Sequence, residues 1–259
     1  MAALRGVGVL VTRPEQQATP LCRLLEASGA TVVRLPAIEI SPSGDIDELA
    51  TRLGAQKAFD LVIFTSANAV RFGAPLLRSQ RESTLAAIGP ATARALAREG
   101  FHATLTPAAG FDSEGLLLHP RLAHPAGQRV LIVTGLHGRE LLQEELGRRG
   151  AHVVIAGVYK RERAIHDPAA LAALEARLAA GDIQVITATS AEIAANLLAT
   201  ATPAMRREFD RVHWLVPGAR VAHTLLEHGV RGPILQADTA EDQDLVAAIV
   251  RWRADESGA

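Results

Sequence analysis

The sequence predicts an α/β fold built on parallel sheets. Three observations carry this reading: β-branched runs alternate with amphipathic stretches, glycines stop those stretches, and one series of units recurs in order. The first run, residues 7–12, leads into a helical pattern over 14–28. There Ala18, Leu21, Leu24 and Leu25 share one face, and Gly29 ends the helix. Runs follow at 31–35, 60–65 and 84–88, the last entering a helix over 91–99 that stops at Gly100. A short run at 103–106 precedes a strand at 129–134 and a helix over 139–149. Leu141, Leu142 and Leu146 repeat the apolar face there, ahead of Gly150. The remaining runs are 152–156, 184–188, 211–216 and 233–236, with a helix over 220–228 ending at Gly229. Gly, Pro, Ser or Asp bound most of these runs, as they bound strands covered on both faces.

The recurrence extends to residue types. A unit starting at Val9-Leu-Val and ending in Gly29-Ala-Thr-Val-Val33 matches one starting at Val130-Leu-Ile and ending in Gly150-Ala-His-Val-Val154. Leu61-Val-Ile-Phe-Thr-Ser-Ala67 matches Val185-Ile-Thr-Ala-Thr-Ser-Ala191, each a strand entering a helix through Thr-Ser-Ala. Ala87-Ile-Gly-Pro-Ala-Thr-Ala93 matches Leu215-Val-Pro-Gly-Ala-Arg-Val221. Two copies of a half-size module account for this most economically. The polar segments 36–44 and 157–165 each follow the second strand of a unit. If both are crossovers, the middle of the chain makes one lobe and the two ends together make the other. Residues 37–41 and 158–161 have the β-propensity of a two-stranded tether. A sequential division near residue 125, in linker-like His124-Pro-Ala-Gly127, is the alternative.

The chain of 259 residues carries 27 Lys and Arg against 28 Asp and Glu. A formal charge of −1 supplies no global field for nucleic acid or an anionic membrane. Loops and helix ends still bind anions without net charge. The lone cysteine, Cys22, excludes an intramolecular disulfide framework and fits a reducing compartment. The N-terminus lacks a signal-peptide pattern, and no apolar stretch approaches the roughly 20 residues of a membrane helix. A soluble cytoplasmic protein is therefore expected. With no heptads or long apolar surface run, a monomer is expected too.

Every promising polar group falls where a strand turns into a helix, the edge at which open parallel sheets bind ligands. Arg13 stands there, with Pro14 suited to a first helical position. So do Thr65-Ser66 and Thr189-Ser190, which serve first as helix caps, and Thr92 in Gly89-Pro-Ala-Thr92. Gly135-Leu-His-Gly-Arg139 is a glycine-bearing turn. Such helix starts, hydroxyls and an occasional Arg suit carboxylates or phosphates. Tyr159, the only Tyr, either donates a proton or packs its ring. Trp214 and Trp252 read as packing residues, and the nine His as surface or capping groups. Glycine fingerprints for dinucleotides and the P-loop are missing, as are Cys-x-x-Cys, His-Glu-x-x-His and Gly-x-Ser-x-Gly; no metal site is expected.

In order, the motifs resemble those of the uroporphyrinogen-III synthases. They are Val-Leu-Val-Thr-Arg-Pro at 9–14, Asp60-Leu-Val-Ile-Phe-Thr-Ser-Ala-Asn-Ala-Val70, Ala87-Ile-Gly-Pro-Ala-Thr-Ala93, Gly110-Phe-Asp-Ser-Glu-Gly-Leu116, Gly157-Val-Tyr-Lys160 and Ala188-Thr-Ser-Ala-Glu192. The resemblance implies two similar flavodoxin-like lobes joined by a two-strand tether. Lobe one would hold residues 1–36 and 166–259, lobe two 43–157, and the tether 37–42 and 158–165. It implies a hydro-lyase of tetrapyrrole biosynthesis, serving haem, sirohaem and cobalamin, that cyclises hydroxymethylbilane without a cofactor. The bilane loses its hydroxyl, the last ring attacks through its substituted carbon, and a spiro intermediate reopens with ring D inverted. By matched position Tyr159 is the implied proton donor. Thr65, Ser66, Asn68, Gly89 and Thr92 would line one lobe, with Gly135 and Arg139 nearby. Arg13, Thr189, Ser190 and Arg220 would line the other. Hand-over of substrate from hydroxymethylbilane synthase is implied as well. Two departures stand out. Val216-Pro-Gly-Ala-Arg220 replaces a Gly-Pro-x-Thr-like turn, and Thr134-Gly-Leu-His-Gly-Arg139 lacks the Arg that often precedes the Gly. A competing reading is a non-catalytic two-lobed receptor for a small anion, since solute receptors share tethered α/β lobes. A sugar-nucleotide transferase is a third, poorly served by the length and the missing glycine fingerprint.

Overall fold

The computed structural model describes residues 3–44, 46–55, 58–80, 82–138 and 140–258. The chain runs through β1 (Gly8–Val11), α1 (Glu15–Ala27), β2 (Thr31–Arg34), β3 (Ile38–Pro42), α2 (Ile46–Gly54), β4 (Leu61–Phe64) and α3 (Ala67–Gly73). Next come β5 (Thr84–Ala87), α4 (Pro90–Arg98), α5 (Ser113–Leu117), β6 (Arg129–Gly135), α6 (Leu141–Arg148) and β7 (His152–Arg163). It continues with α7 (Pro168–Ala179), β8 (Val185–Thr187), α8 (Ala191–Thr200), α9 (Pro203–Phe209) and β9 (His213–Val216). It ends with α10 (Ala219–Glu227), β10 (Ile234–Gln236) and α11 (Asp242–Gly258). Two compact units result: Met1–Glu39 with Glu162–Ala259, and Ile40–Arg161.

In the first unit the strand order is β2-β1-β8-β9-β10, and every pairing is parallel. Numbered along its own chain this is 2-1-3-4-5, the flavodoxin-like order. In the second unit the order is β3-β7-β6-β4-β5, with β7, β6, β4 and β5 parallel. The register exposes the duplication. Val9 faces Val32 and Val185 in one sheet, while Val130 faces Val153 and Leu61 in the other. So β1, β2, β8 and β9 correspond to β6, β7, β4 and β5, and the chain enters the second copy at its third strand. β3 lies outside β7 and runs against it: Ser43 N donates to Val158 O at 3.2 Å and Ala164 N to Ala37 O at 3.3 Å.

Helix ends follow the glycine stops. Gly29 and Gly150, with φ of 93° and 87°, take the left-handed turn that releases α1 and α6 into β2 and β7. Pro14 sits one place earlier than expected, as the cap whose carbonyl accepts from Gln17 N and Ala18 N. Two strand expectations change. The run at 103–106 contributes a single parallel bridge, Leu105 to Ala86, at the position β10 takes in the other copy; Pro107, with no N–H, cannot extend the ladder. The runs 152–156 and 158–161 are one continuous strand of 12 residues.

Each sheet buries an apolar face. Val9, Val11, Leu21, Leu25, Leu245 and Ile249 pack together in the first unit; Leu61, Ile63, Leu116, Ile132, Leu142 and Leu146 do so in the second. Trp214 is fully buried beside Phe209, edge to face at 5.3 Å. Most histidines behave as expected: His119 accepts from Arg121 N, and His223 pairs with Glu227 at 3.2 Å on exposed helix. His213 does not. It is half-buried against the Trp252 ring, 4.6 Å between centroids, and burial pushes its pKa down. Burial likewise raises the Cys22 thiol, chiefly by desolvation, which keeps it protonated and unreactive.

β1 also tests how closely this sheet is fitted. A Cβ on Gly8 would lie 1.7 Å from the Asp182 carbonyl oxygen, a backbone atom that cannot swing away. Gly8→Ala should therefore cost about 1–3 kcal/mol by overpacking, read as a lower urea midpoint. An unchanged midpoint would mean that the turn before β8 yields freely.

Candidate active site

In a 2-1-3 strand order the connections from strands 1 and 3 leave in opposite directions, which opens a crevice at their carboxyl ends. In the second unit that place lies between β6 and β4, and a cavity of about 340 Å³ occupies it. Thr65 follows β4 and donates to Thr134 Oγ1 of β6 at 2.9 Å. Ser66 caps α3 by accepting from Ala69 N at 2.9 Å, and the same oxygen lies 3.2 Å from the Tyr159 hydroxyl. Tyr159 is 8% exposed, lines the cavity with Thr65 and Thr134, and stacks on Phe72 at 6.0 Å. Gly135 makes room for it: a Cβ there would lie 2.9 Å from Tyr159 Cζ. β7 therefore delivers one phenol to the switch point, with its ring fixed on two sides and its hydroxyl beside a serine.

The opposite part of the lining comes from the turn before α5. Phe111, Asp112 and Ser113 border the cavity, as do His137 and Gly138 of the β6–α6 turn. Gly89, the extended cap of α4, permits the approach of Phe111, whose Cβ lies 2.9 Å from where a Gly89 Cβ would stand. Asp112 caps α5 by accepting from Gly115 N at 2.7 Å. α5 is held by Arg149 of the turn after α6, which donates to Leu117 O at 2.9 Å and Leu122 O at 2.7 Å. Glu145 receives both Arg148 and Arg149, and these bonds lower its pKa to about 2, so it stays ionised.

The first unit builds the matching place with different chemistry. By register Arg13 corresponds to Thr134, and Thr189 to Thr65. The pair is bonded here too, Arg13 Nε donating to Thr189 Oγ1 at 3.2 Å. The guanidinium, 12% exposed, also binds the Asp242 carboxylate and the Ala240 carbonyl, which ties the start of α11 to the end of β1. Ser190 caps α8 through Ile193 N.

The sequence-derived candidates thus separate. Thr65, Ser66, Gly135 and Tyr159 converge in one place. Gly89 packs against the lining residue Phe111, Thr92 is buried in the first turn of α4, and Asn68 is half-buried in the first turn of α3. Arg13, Thr189 and Ser190 gather in the other unit, where Arg220 is exposed in the first turn of α10. Arg139 lies outside the described residues. Sequence reasoning left Thr134, Asp112, Ser113 and His137 without a role. The signal for two of them is the segment Gly110-Phe-Asp-Ser-Glu-Gly-Leu116, one of the ordered motifs that carry the family resemblance. Among the described residues no three His, Cys, Asp or Glu side chains come together as a metal cluster requires.

Comparison with known proteins agrees with this architecture. Residues 20–247 match the family model "Uroporphyrinogen-III synthase HemD". The uroporphyrinogen-III synthase of Escherichia coli is 34% identical over 254 residues, covering 94% of this chain and all of that one. That of Synechococcus elongatus is 35% identical over 187 residues, 68% of this chain and 69% of the relative. Solved structures of the Thermus thermophilus enzyme (a mutant, TM-score 0.58, 21% identity) and the Helicobacter pylori enzyme (0.58, 17%) share the fold. They cover 98% and 95% of this chain and 100% and 99% of their own. With the family model spanning most of the sequence and a full-length relative at that identity, the chain belongs to the uroporphyrinogen-III synthase family.

Proposed function

We propose that the chain closes hydroxymethylbilane to uroporphyrinogen III with loss of water and inversion of ring D. One arrangement carries the reading: the hydroxyl of the sole tyrosine, Tyr159, enters a polar cavity at a switch point, 3.2 Å from Ser66. From there the phenol gives its proton to the departing hydroxyl. The electrophile left behind reacts by itself, so the protein's main task is to fold the bilane and direct the closing carbon. Orientation of that kind is worth up to about 7–11 kcal/mol. The backbone N–H groups at the start of α4 suit carboxylates of the substrate, since helix starts bind anions without a positive surface. Arg13 is engaged with Asp242 and braces the Thr189 turn.

The rest of the reading follows from this chemistry: a cytoplasmic monomer that needs no cofactor and receives its bilane from hydroxymethylbilane synthase. No described helix is long and apolar enough to cross a membrane. Membership of a synthase family favours this over the receptor reading. Purified protein given enzymatically made hydroxymethylbilane should yield the III isomer. Formation of the I isomer alone, the product of spontaneous closure, would refute the proposal.

A further inference from the structure

We propose that Asp112 is a further catalytic residue, whose carboxylate takes the N–H proton of the pyrrole that loses water. The inference rests on the synthase reading above. The motif containing Asp112 brings an anion to the same cavity as the Tyr159 hydroxyl. One carboxylate oxygen is used, accepting from Gly115 N at 2.7 Å; the other has no partner among the described residues. Beside it Ser113, 4% exposed, lines the same cavity.

The chemistry of the lining says what fills it. The described residues around this cavity include one carboxylate and no Lys or Arg. A carboxylate in such a wall attracts a pyrrole N–H or a ring gaining positive charge. A cavity of about 340 Å³ is at the small end of the roughly 300–1,000 Å³ ligand range. It suits one substituted pyrrole rather than four.

Water is then lost across two bonds. The Tyr159 proton goes to the hydroxyl oxygen, and the C–O bond breaks with its electron pair on that oxygen. The pyrrole N–H proton passes to Asp112, the N–H pair stays on nitrogen, and the ring becomes a neutral azafulvene. When the closing carbon attacks, Asp112 returns its proton to that nitrogen. The proton later shed by the closing ring restores Tyr159. Only water leaves, and both side chains end as they began.

Asp112→Asn isolates the charge, because Asn caps a helix as well as Asp does. The expected result is a kcat at least tenfold lower, with KM within threefold of wild type and an unchanged thermal midpoint. Wild-type kcat in Asp112→Asn, with loss confined to the cap-deleting Asp112→Ala, makes Asp112 a helix cap only and overturns the proposal. Formation of only the I isomer by the wild-type chain, run alongside, instead overturns the synthase reading beneath it.

Discussion

Replacing Tyr159 with Phe is expected to slow formation of the III isomer about 100-fold, the lower end of the range for losing a general acid such as the one proposed. The substitution removes one oxygen and little else. The ring keeps its stacking on Phe72 at 6.0 Å and its seat over Gly135. Ser66 still caps α3 through Ala69 N, so the hydrogen bond lost to Tyr159 costs about 1 kcal/mol or less. Turnover and stability should therefore part company, with kcat falling steeply and the thermal midpoint moving by a few degrees at most. Steady-state kinetics with a melting curve on the same preparation checks both. An unaltered kcat would return Tyr159 to ring packing.

Trp214→Ala should remove about 3–5 kcal/mol of stability, the range for truncating a large buried aromatic. That is a large share of the roughly 5–15 kcal/mol of a whole domain. Three terms add. The side chain is fully buried, it meets the Phe209 ring edge to face at 5.3 Å, and its indole N–H donates to Phe209 O at 3.0 Å. Truncation leaves a cavity beside β9 and a buried carbonyl without its donor. β9 flanks β8, whose end carries Thr189 and Ser190, so disorder there would reach the first unit's candidate residues. A lower urea midpoint at constant slope is the expected signature. A loss below about 1 kcal/mol would show that α9 collapses onto the sheet and refills the space.

The parts of the fold that were legible are those set by local chemistry. Val9, Val130, Val62 and Val185 sit in runs apolar on both faces, and such runs can only be interior parallel strands. Gly29 and Gly150 mark stops because an L side chain resists their backbone angles. The join between 152–156 and 158–161 was hidden because Gly157 interrupts the β-branched pattern. In the structure Gly157 leaves room for Leu136, 2.9 Å from where its Cβ would be, and the strand simply continues. The run at 103–106 misled for the opposite reason: its residues suit a strand, but pairing there is cut short by Pro107. At the site, Thr65, Ser66 and Tyr159 were legible as turn residues and a solitary phenol. Asp112 and Ser113 were not, because a short Asp-Ser-x-Gly sequence reads as a helix cap. Only the fold of Ile40–Arg161 brings that cap to the ends of β4 and β6.

The order of strands also sets a timetable for synthesis. β1 and β2 leave the ribosome ahead of the other strands of both sheets, but the partner on the other edge of β1 arrives late. The turn residues Arg13 and Thr189 that meet there are 176 positions apart. At roughly 5–20 residues per second, β1 waits about 10–35 s with one edge unpaired. Within that interval the contiguous stretch Ile40–Arg161 is complete and can close its own sheet. Pairing of β3 with β7 then brings the neighbourhood of Ala37 to that of Ala164. What would have been a very long loop becomes a short one, and the entropy of closing it falls accordingly. The inserted unit thus serves the nascent chain as a clasp, delivering β8 to a strand that has waited while the whole of that unit was made.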